Sequence, residues 1–158
     1  MKLLKETLVA CALTVAAFVT TPGASAHEIK VGDLVISHPW SRQSPMGADV
    51  SAGFMKITNT GKEDDKLVSA TADIAPMVQI HEMKMVGDVM KMQEVAGGLV
   101  IPAGKTIELK PKSYHIMFMQ VPKQPVVDTT FKGTLVFEKA GKVDIDYEVV
   151  DANATMDH

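Results

Sequence analysis

The chain has 158 residues and is mildly acidic, with 16 lysine and arginine residues against 19 aspartate and glutamate residues and a formal net charge of −3. This balance argues against nucleic acid or an anionic membrane surface as a partner, because both attract basic proteins. The length suits one domain with a hydrophobic core of its own.

The first residues form a targeting segment. Lys2 and Lys5 precede an apolar stretch over about residues 8–19, and Ala24-Ser25-Ala26 offers small residues for cleavage. This is the pattern of a secretory signal peptide, and its apolar run is shorter than the roughly 20 residues of a membrane helix. We predict a cleaved signal peptide over 1–26, a periplasmic domain over 27–150 without membrane insertion, and a flexible tail over 151–158.

The only cysteine, Cys11, follows Leu8-Val9-Ala10, which looks like a bacterial lipoprotein cleavage box. Few residues precede this box, and the apolar run continues past it. A lipid on Cys11 would therefore leave a hydrophobic segment directly after the anchor. We therefore expect cleavage after Ala26. The mature chain would then contain no cysteine and no disulfide.

Short stretches rich in β-branched and apolar residues dominate the rest of the chain and predict β-strands. The predicted strands cover residues 34–36, 53–58, 67–70, 78–83, 89–95, 106–110, 114–121, 134–138 and 143–150. Turn residues separate them, with marked hairpins at Gly87-Asp88 and Ala140-Gly141. No segment keeps an apolar period of about 3.6 residues. The pattern predicts an all-β sandwich or barrel.

Methionine is concentrated in one part of the chain, since seven of the 11 methionines and two of the five histidines lie between residues 77 and 119. Residues i and i+2 of a strand point to one face, about 6.6 Å apart. Three sets of histidine and methionine are therefore each expected to share a face, and the Gly87-Asp88 hairpin brings the first two together. These sets are His81, Met83 and Met85; Met90 and Met92; and His115, Met117 and Met119.

Thioether sulfur and imidazole nitrogen are soft, uncharged ligands, which favour copper(I) over zinc or calcium. The absence of a mature thiolate excludes a blue-copper centre. We therefore hypothesise a copper(I) site. Met55 and Met77 are interpreted as core filler, and Met46 as a surface residue.

The spacing of these residues is distinctive. His81 is followed by ten residues and Met92, and then by 22 residues and His115-Ile116-Met117. This pattern resembles the signature of the PCu(A)C family of periplasmic copper chaperones, with one residue more in the second interval. We expect the turn at Ala96-Gly97-Gly98 to absorb it, because a slip within a strand would turn a ligand to the wrong face. Met83 or Met90 in place of Met92 remains an alternative.

The resemblance extends over residues 38–150. Further similar segments are His38-Pro39-Trp40-Ser41-Arg42, Gly53-Phe54-Met55-Lys56-Ile57-Thr58-Asn59, Ile101-Pro102-Ala103-Gly104 and Phe137-Glu138-Lys139-Ala140-Gly141. Pro111-Lys112-Ser113 stands where the family usually has Pro-Gly-Gly, a difference expected to alter the path of that loop. The resemblance implies a cupredoxin-like Greek-key β-sandwich or barrel.

The resemblance also implies a function. One copper(I) ion per chain would be bound by His81, Met92, His115 and Met117. The resemblance assigns no role to Met83, Met85, Met90 and Met119, which stay open between core filler and reserve ligands or a soft rim. The protein would be a monomeric carrier, not an enzyme. It would deliver copper towards cytochrome c oxidase assembly, alongside a Sco-type thiol protein and an oxidase subunit.

Several alternatives stay open. Copper storage or detoxification would use the same site. A mature N-terminal His27 can chelate copper(II) through its amine and imidazole, as in copper oxidases of polysaccharides, and Met156 with His158 can form a weak accessory copper site in the tail. A plain adhesion or scaffold domain would use methionine as core filler.

Overall fold

The computed structural model describes residues 28–154, which form eleven β-strands. The strands are β1 (Glu28–Val31), β2 (Leu34–Arg42), β3 (Val50–Asn59), β4 (Asp65–Ala72), β5 (Met77–Val86), β6 (Val89–Glu94), β7 (Leu99–Ile101), β8 (Thr106–Leu109), β9 (His115–Met119), β10 (Thr130–Phe137) and β11 (Gly141–Val150). This part of the chain contains no helix long and apolar enough to cross a membrane. The predicted signal peptide, Cys11, His27 and residues 155–158 lie outside the described residues.

The strands form one continuous sheet in the order β6-β5-β9-β3-β2-β11-β10-β4-β7, with β1 paired to β2 and β8 paired to β3. Neighbouring strands are antiparallel, except that β11 runs parallel to β2. Side chains from opposite ends of this order share one core, as Ile80 of β5 and Leu67 of β4 do. The sheet therefore curls around its own hydrophobic core, as the alternating sequence pattern predicts.

An aromatic cluster fills part of this core. Tyr147 of β11 stacks on Phe131 of β10 at 5.0 Å between ring centroids, and its ring meets Phe118 of β9 edge-on at 5.3 Å. Gly133 leaves room for this ring, since a Cβ there would lie 2.6 Å from Tyr147 Cε2. Through Phe118, this cluster packs β9 against the core.

The core also determines which side of the β5–β9 pair faces water. Ile80, Ile116 and Phe118 are buried in the core. Because strand residues alternate between faces, His81, His115 and Met117 project away from the core, on the opposite side of the sheet. Strand β6 is exposed along its whole length, and the β5–β6 hairpin extends beyond the packed body.

Most expectations about the fold are confirmed. All nine predicted strands are present, and both predicted hairpins occur, while β1 and β7 are additional. Met55 is buried and Met46 is exposed, as interpreted from the sequence. The interpretation of Met77 as core is wrong, because Met77 lies opposite Met119 on the outward face and is 43% exposed.

Candidate metal centre

Strand register brings the predicted ligands onto one outward face. His81 of β5 lies directly opposite His115 of β9. On the other side of β5, Met83 lies directly opposite Met92 of β6. Met117, two residues beyond His115, shares its face and lies between β5 and β3. The three sets predicted to share faces therefore do so, and all three occupy the same face.

A pocket of about 260 Å³ lies in the middle of this face. Four of its lining residues carry soft donor atoms: Met83, Met92, His115 and Met117. The remaining lining residues come from β3 and two loops: Ser44, Val50, Ser51, Ala52, Phe54, Pro111 and Lys112. His115 is almost fully buried at the base, whereas Met92 is 48% exposed. The pocket thus has a fixed imidazole at its base and a solvent-facing thioether at its rim.

A backbone carbonyl orients the His115 ring. The Nδ1 atom of His115 lies 3.1 Å from the carbonyl oxygen of Ser113, and this carbonyl also accepts a hydrogen bond from the backbone N–H of Met83 at 3.1 Å. A carbonyl can only accept, so Nδ1 carries the proton and donates. The Nε2 lone pair of His115 is then left for a metal ion, an arrangement typical of metal-binding histidines.

His81 lies beside this pocket without lining it. Its ring centroid is 5.8 Å from that of His115. The Nε2 atom is 2.9 Å from Gln79 Oε1, while the buried Nδ1 atom has no hydrogen-bond partner within residues 28–154. If Nε2–H donates to the amide oxygen, the Nδ1 atom retains a lone pair, which a metal ion can use.

The surroundings of His81 favour its neutral form. Burial lowers the pKa of His81 below its ordinary value of 6.5, and the nearby His115 lowers it further, against the opposing effect of Glu94. The neutral imidazole is the form that metal ions bind, so a lowered pKa suits a metal-binding role for His81.

The loop that carries Ser113 has an unusual backbone. Lys112 adopts a φ of +65°, in the left-handed region that glycine tolerates without strain. A lysine there costs on the order of 1–2 kcal/mol. The turn is nevertheless closed by a hydrogen bond from Ser113 N–H to the carbonyl of Lys110. Without glycine, the loop still holds the Ser113 carbonyl against His115.

The pairing of β5 with β6 bears on the extra residue between Met92 and His115. The register is regular from Val86 opposite Val89 to His81 opposite Glu94. The turn after β6 contains Gly97 and Gly98 at φ values of +84° and +95°. The hairpin therefore has no slip that would turn Met92 away from the pocket.

Three of the four predicted ligands, Met92, His115 and Met117, line the pocket, and His81 lies beside it with its ring centroid 5.8 Å from that of His115. Met83, left open from the sequence, lines the pocket, whereas Met85, Met90 and Met119 do not. Among residues 28–154, no three His, Cys, Asp or Glu side chains cluster in a way that could hold a metal ion.

The family of the chain follows from its sequence. A family model described as "Putative lipoprotein LpqE-like" matches residues 34–149. The chain belongs to the LpqE-like family. It is also similar to the "Putative lipoprotein Lxx21020" of Leifsonia xyli subsp. xyli, with 35% identity over 112 residues. The match covers 71% of the LpqE-like chain and 63% of that relative, so the chain spans less than two thirds of the relative's length.

Solved structures agree with the LpqE-like assignment. A copper-bound PCuAC domain from PmoF2 has 27% identity and a TM-score of 0.68, covering 79% of this chain and 98% of that domain. An apo PCuAC domain from PmoF1 has 29% identity and a TM-score of 0.68, covering 79% and 99%. The solution structure of CuI-DR1885 from Deinococcus radiodurans, at 24% identity and a TM-score of 0.58, covers 80% and 83% and shares the fold. The resemblance to the PCu(A)C family and the all-β, cupredoxin-like fold are confirmed.

Proposed function

We propose that this LpqE-like protein binds one copper(I) ion through His81, Met92, His115 and Met117 and carries it as a chaperone. One observation carries the proposal. Imidazole and thioether groups from three strands converge on a single outward pocket, where His115 is already oriented by a backbone carbonyl. The copper-bound PmoF2 domain and the CuI form of DR1885 support copper as the ion.

The donor set suits a soft monovalent cation. Two neutral imidazoles and two thioethers add no negative charge, and thioethers are not among the ligands that Zn²⁺ or Ca²⁺ prefers. Residues 28–154 contain no cysteine, so a thiolate-based redox centre is not available there. The chemistry therefore favours carrying copper(I) over cycling electrons.

The position of the pocket suits transfer. His115 is buried at the base, while Met92 stands at the rim with about half of its side chain exposed. A thioether carries no charge, so an incoming ligand can displace Met92 first and the buried histidine last. Stepwise ligand exchange of this kind releases the ion without leaving it free in water.

We further propose that the monomeric protein works in the cell envelope and delivers copper towards cytochrome c oxidase assembly, together with a Sco-type thiol protein; storage or detoxification is the alternative. Export is supported by the sequence before Ala26 and by the lipoprotein description of the family. Two modes of export are open: lipid modification at Cys11, which follows a lipoprotein-like box, and signal-peptide cleavage after Ala26. The intact mass of the purified protein separates a lipid-modified Cys11 from cleavage after Ala26.

Competition titration tests the site. Anaerobic copper(I) titration against a chelator should give one strong site, weakened at least about tenfold, or about 1.4 kcal/mol, in Met92→Leu, Met117→Leu and His115→Ala. Met46→Leu, at a fully exposed position outside the pocket, is the matched control and should bind normally. Unchanged affinity in Met92→Leu would remove Met92 from the ligand set, and unchanged affinity in all three would reject the site.

Two further outcomes would redirect the function. Tight copper(II) binding that depends on His27, together with oxidase activity, would favour the enzyme alternative. Normal oxidase copper content in a deletion strain under copper limitation would reject the delivery role while leaving copper binding intact.

A further inference from the structure

The β5–β6 hairpin carries a second pair of thioethers that the pocket does not use. Met85 lies directly opposite Met90, on the same outward face as Met83 and Met92. The Met85–Met90 pair is one step nearer the hairpin turn, and its side chains are 55% and 42% exposed. The thioethers therefore lie in two successive rows, with the Met85–Met90 pair near the tip of the hairpin and the Met83–Met92 pair at the pocket.

Packing does not explain the outer pair. On the reverse face of the hairpin, Glu82 accepts a 2.6 Å hydrogen bond from Gln93, and Lys84 lies opposite Lys91. These polar residues show that the hairpin has left the core before it reaches Met85. A strand tip in water gains nothing from a long apolar side chain, and strand propensity favours β-branched residues there.

We infer that Met85 and Met90 form an outer site that captures a soft monovalent cation, copper(I) or its analogue silver(I), and passes it to the pocket through Met83 and Met92. The inference rests on the proposed function, because the pocket is the destination of the ion. Two thioethers alone form a weak site, which suits capture and release.

The transfer is a ligand exchange. Successive rows on one face of a strand are about 6.6 Å apart, and methionine has three rotatable bonds with which to shorten this gap. A sulfur of the Met83–Met92 row bonds to the ion before a sulfur of the outer pair leaves. The ion keeps its single positive charge, and no proton or electron moves.

The chain provides a matched control on the same face. Met77 lies opposite Met119 beyond the other side of the pocket, so this is also a cross-strand methionine pair. Met77 is 43% exposed, close to the value for Met90, while Met119 is partly buried beside Val50 of β3. This pair lies within the body of the sheet and not on the projecting hairpin.

The experiment follows the methionine methyl groups by NMR. Full-length mature protein labelled with ¹³C at the methionine methyls is titrated anaerobically with copper(I), and separately with silver(I). The first equivalent should shift Met92, Met117 and the rings of His81 and His115, which reports the proposed function. Ions beyond one equivalent should then shift Met85 and Met90, which reports the outer site.

The Met85→Leu/Met90→Leu variant keeps the apolar surface and removes only the sulfur atoms. It should retain the affinity for the first ion, lose the second response, and capture copper(I) more slowly from a weak complex in stopped-flow mixing. The Met77→Leu/Met119→Leu variant should behave as wild type in all three measurements.

Other results would overturn the inference. A path along the hairpin would be refuted if Met85→Leu/Met90→Leu kept both the capture rate and the second response of the wild type. It would also be refuted if the Met77→Leu/Met119→Leu control lost capture rate and second response to the same extent. The tip would be assigned to protein docking by two results together. Met85→Leu/Met90→Leu would bind and capture copper(I) normally, and only charged variants at these positions would transfer it poorly to an acceptor protein. Shifts of Met85 and Met90 with none in the pocket would reject the proposed function and the transfer step, while keeping the outer site.

Discussion

His81 and His115 lie directly opposite each other on neighbouring antiparallel strands, with their ring centroids 5.8 Å apart. Each ring has one nitrogen within hydrogen-bonding distance of a fixed oxygen, which belongs to Gln79 for His81 and to Ser113 for His115. The other nitrogen of each ring can then bind a metal ion. Gln79 belongs to β5 and Ser113 to the loop that enters β9, so one strand and one loop align the two imidazoles.

This arrangement predicts a pH dependence for the stability of the apo protein. Folding lowers the pKa of His81 below 6.5, through burial first and His115 second. The unfolded chain therefore binds a proton more readily, and stability should fall as pH drops below 6.5 towards the lower folded pKa. Urea unfolding of the apo protein across this range should show the loss, and His81→Gln should make it smaller. The same slope in His81→Gln would assign the effect to another group.

Met83 and Met92 should be partly interchangeable, because they lie opposite each other and both line the pocket. Met92→Leu should weaken copper(I) binding more than Met83→Leu, and the double variant more than the sum of the two, since each sulfur can replace the other. Competition titrations of the three variants provide the double-mutant cycle. A larger effect of Met83→Leu than of Met92→Leu would transfer the ligand role to Met83.

Replacing Lys112 with glycine should stabilise the protein. Lys112 has a φ of +65°, and glycine removes the left-handed strain at some cost in chain entropy, for a net gain of up to about 1 kcal/mol. Gln120, at a φ of +58° outside the pocket lining, offers a matched comparison. Gln120→Gly should raise the free energy of unfolding similarly in urea melts. A loss of stability in Lys112→Gly alone would show that contacts of the lysine side chain outweigh the strain.

Removing the hydroxyl of Tyr147 should also stabilise the fold. Burial raises the pKa of this phenol, and its hydroxyl has no hydrogen-bond partner within the described part of the chain. A buried hydroxyl without a partner costs about 1–3 kcal/mol, so Tyr147→Phe should raise the free energy of unfolding by about 1 kcal/mol. Destabilisation in chemical unfolding would show that the hydroxyl forms a bond in solution.

The sequence predicts the sheet well where the alternating pattern is long. The two-residue period places His115 and Met117 on one face, and the Gly87-Asp88 turn brings the strand of Met92 beside the strand of His81. The same period could have placed Met77 outside the core, since it lies four residues before His81 and so on the same face. β7 is too short to show an alternating pattern, as it covers only the three residues Leu99–Ile101.

Other features of the site have no signal in the sequence. The acceptor for His115 is a backbone carbonyl, and every residue carries one, so side-chain identities could not single out Ser113. The place of Met83 in the pocket depends on the register that pairs it with Met92. A hairpin prediction gives the neighbouring strands, but the pairing of individual residues depends on turn geometry and core packing.

X-ray absorption at the copper K-edge tests the central claim most directly. We expect anaerobically loaded copper(I) protein to show both nitrogen and sulfur ligands, with the sulfur contribution reduced in Met117→Leu and in the Met83→Leu/Met92→Leu double variant and unchanged in Met46→Leu. Copper coordinated only by nitrogen or oxygen, or a sulfur contribution that is undiminished in both pocket variants, would contradict the account.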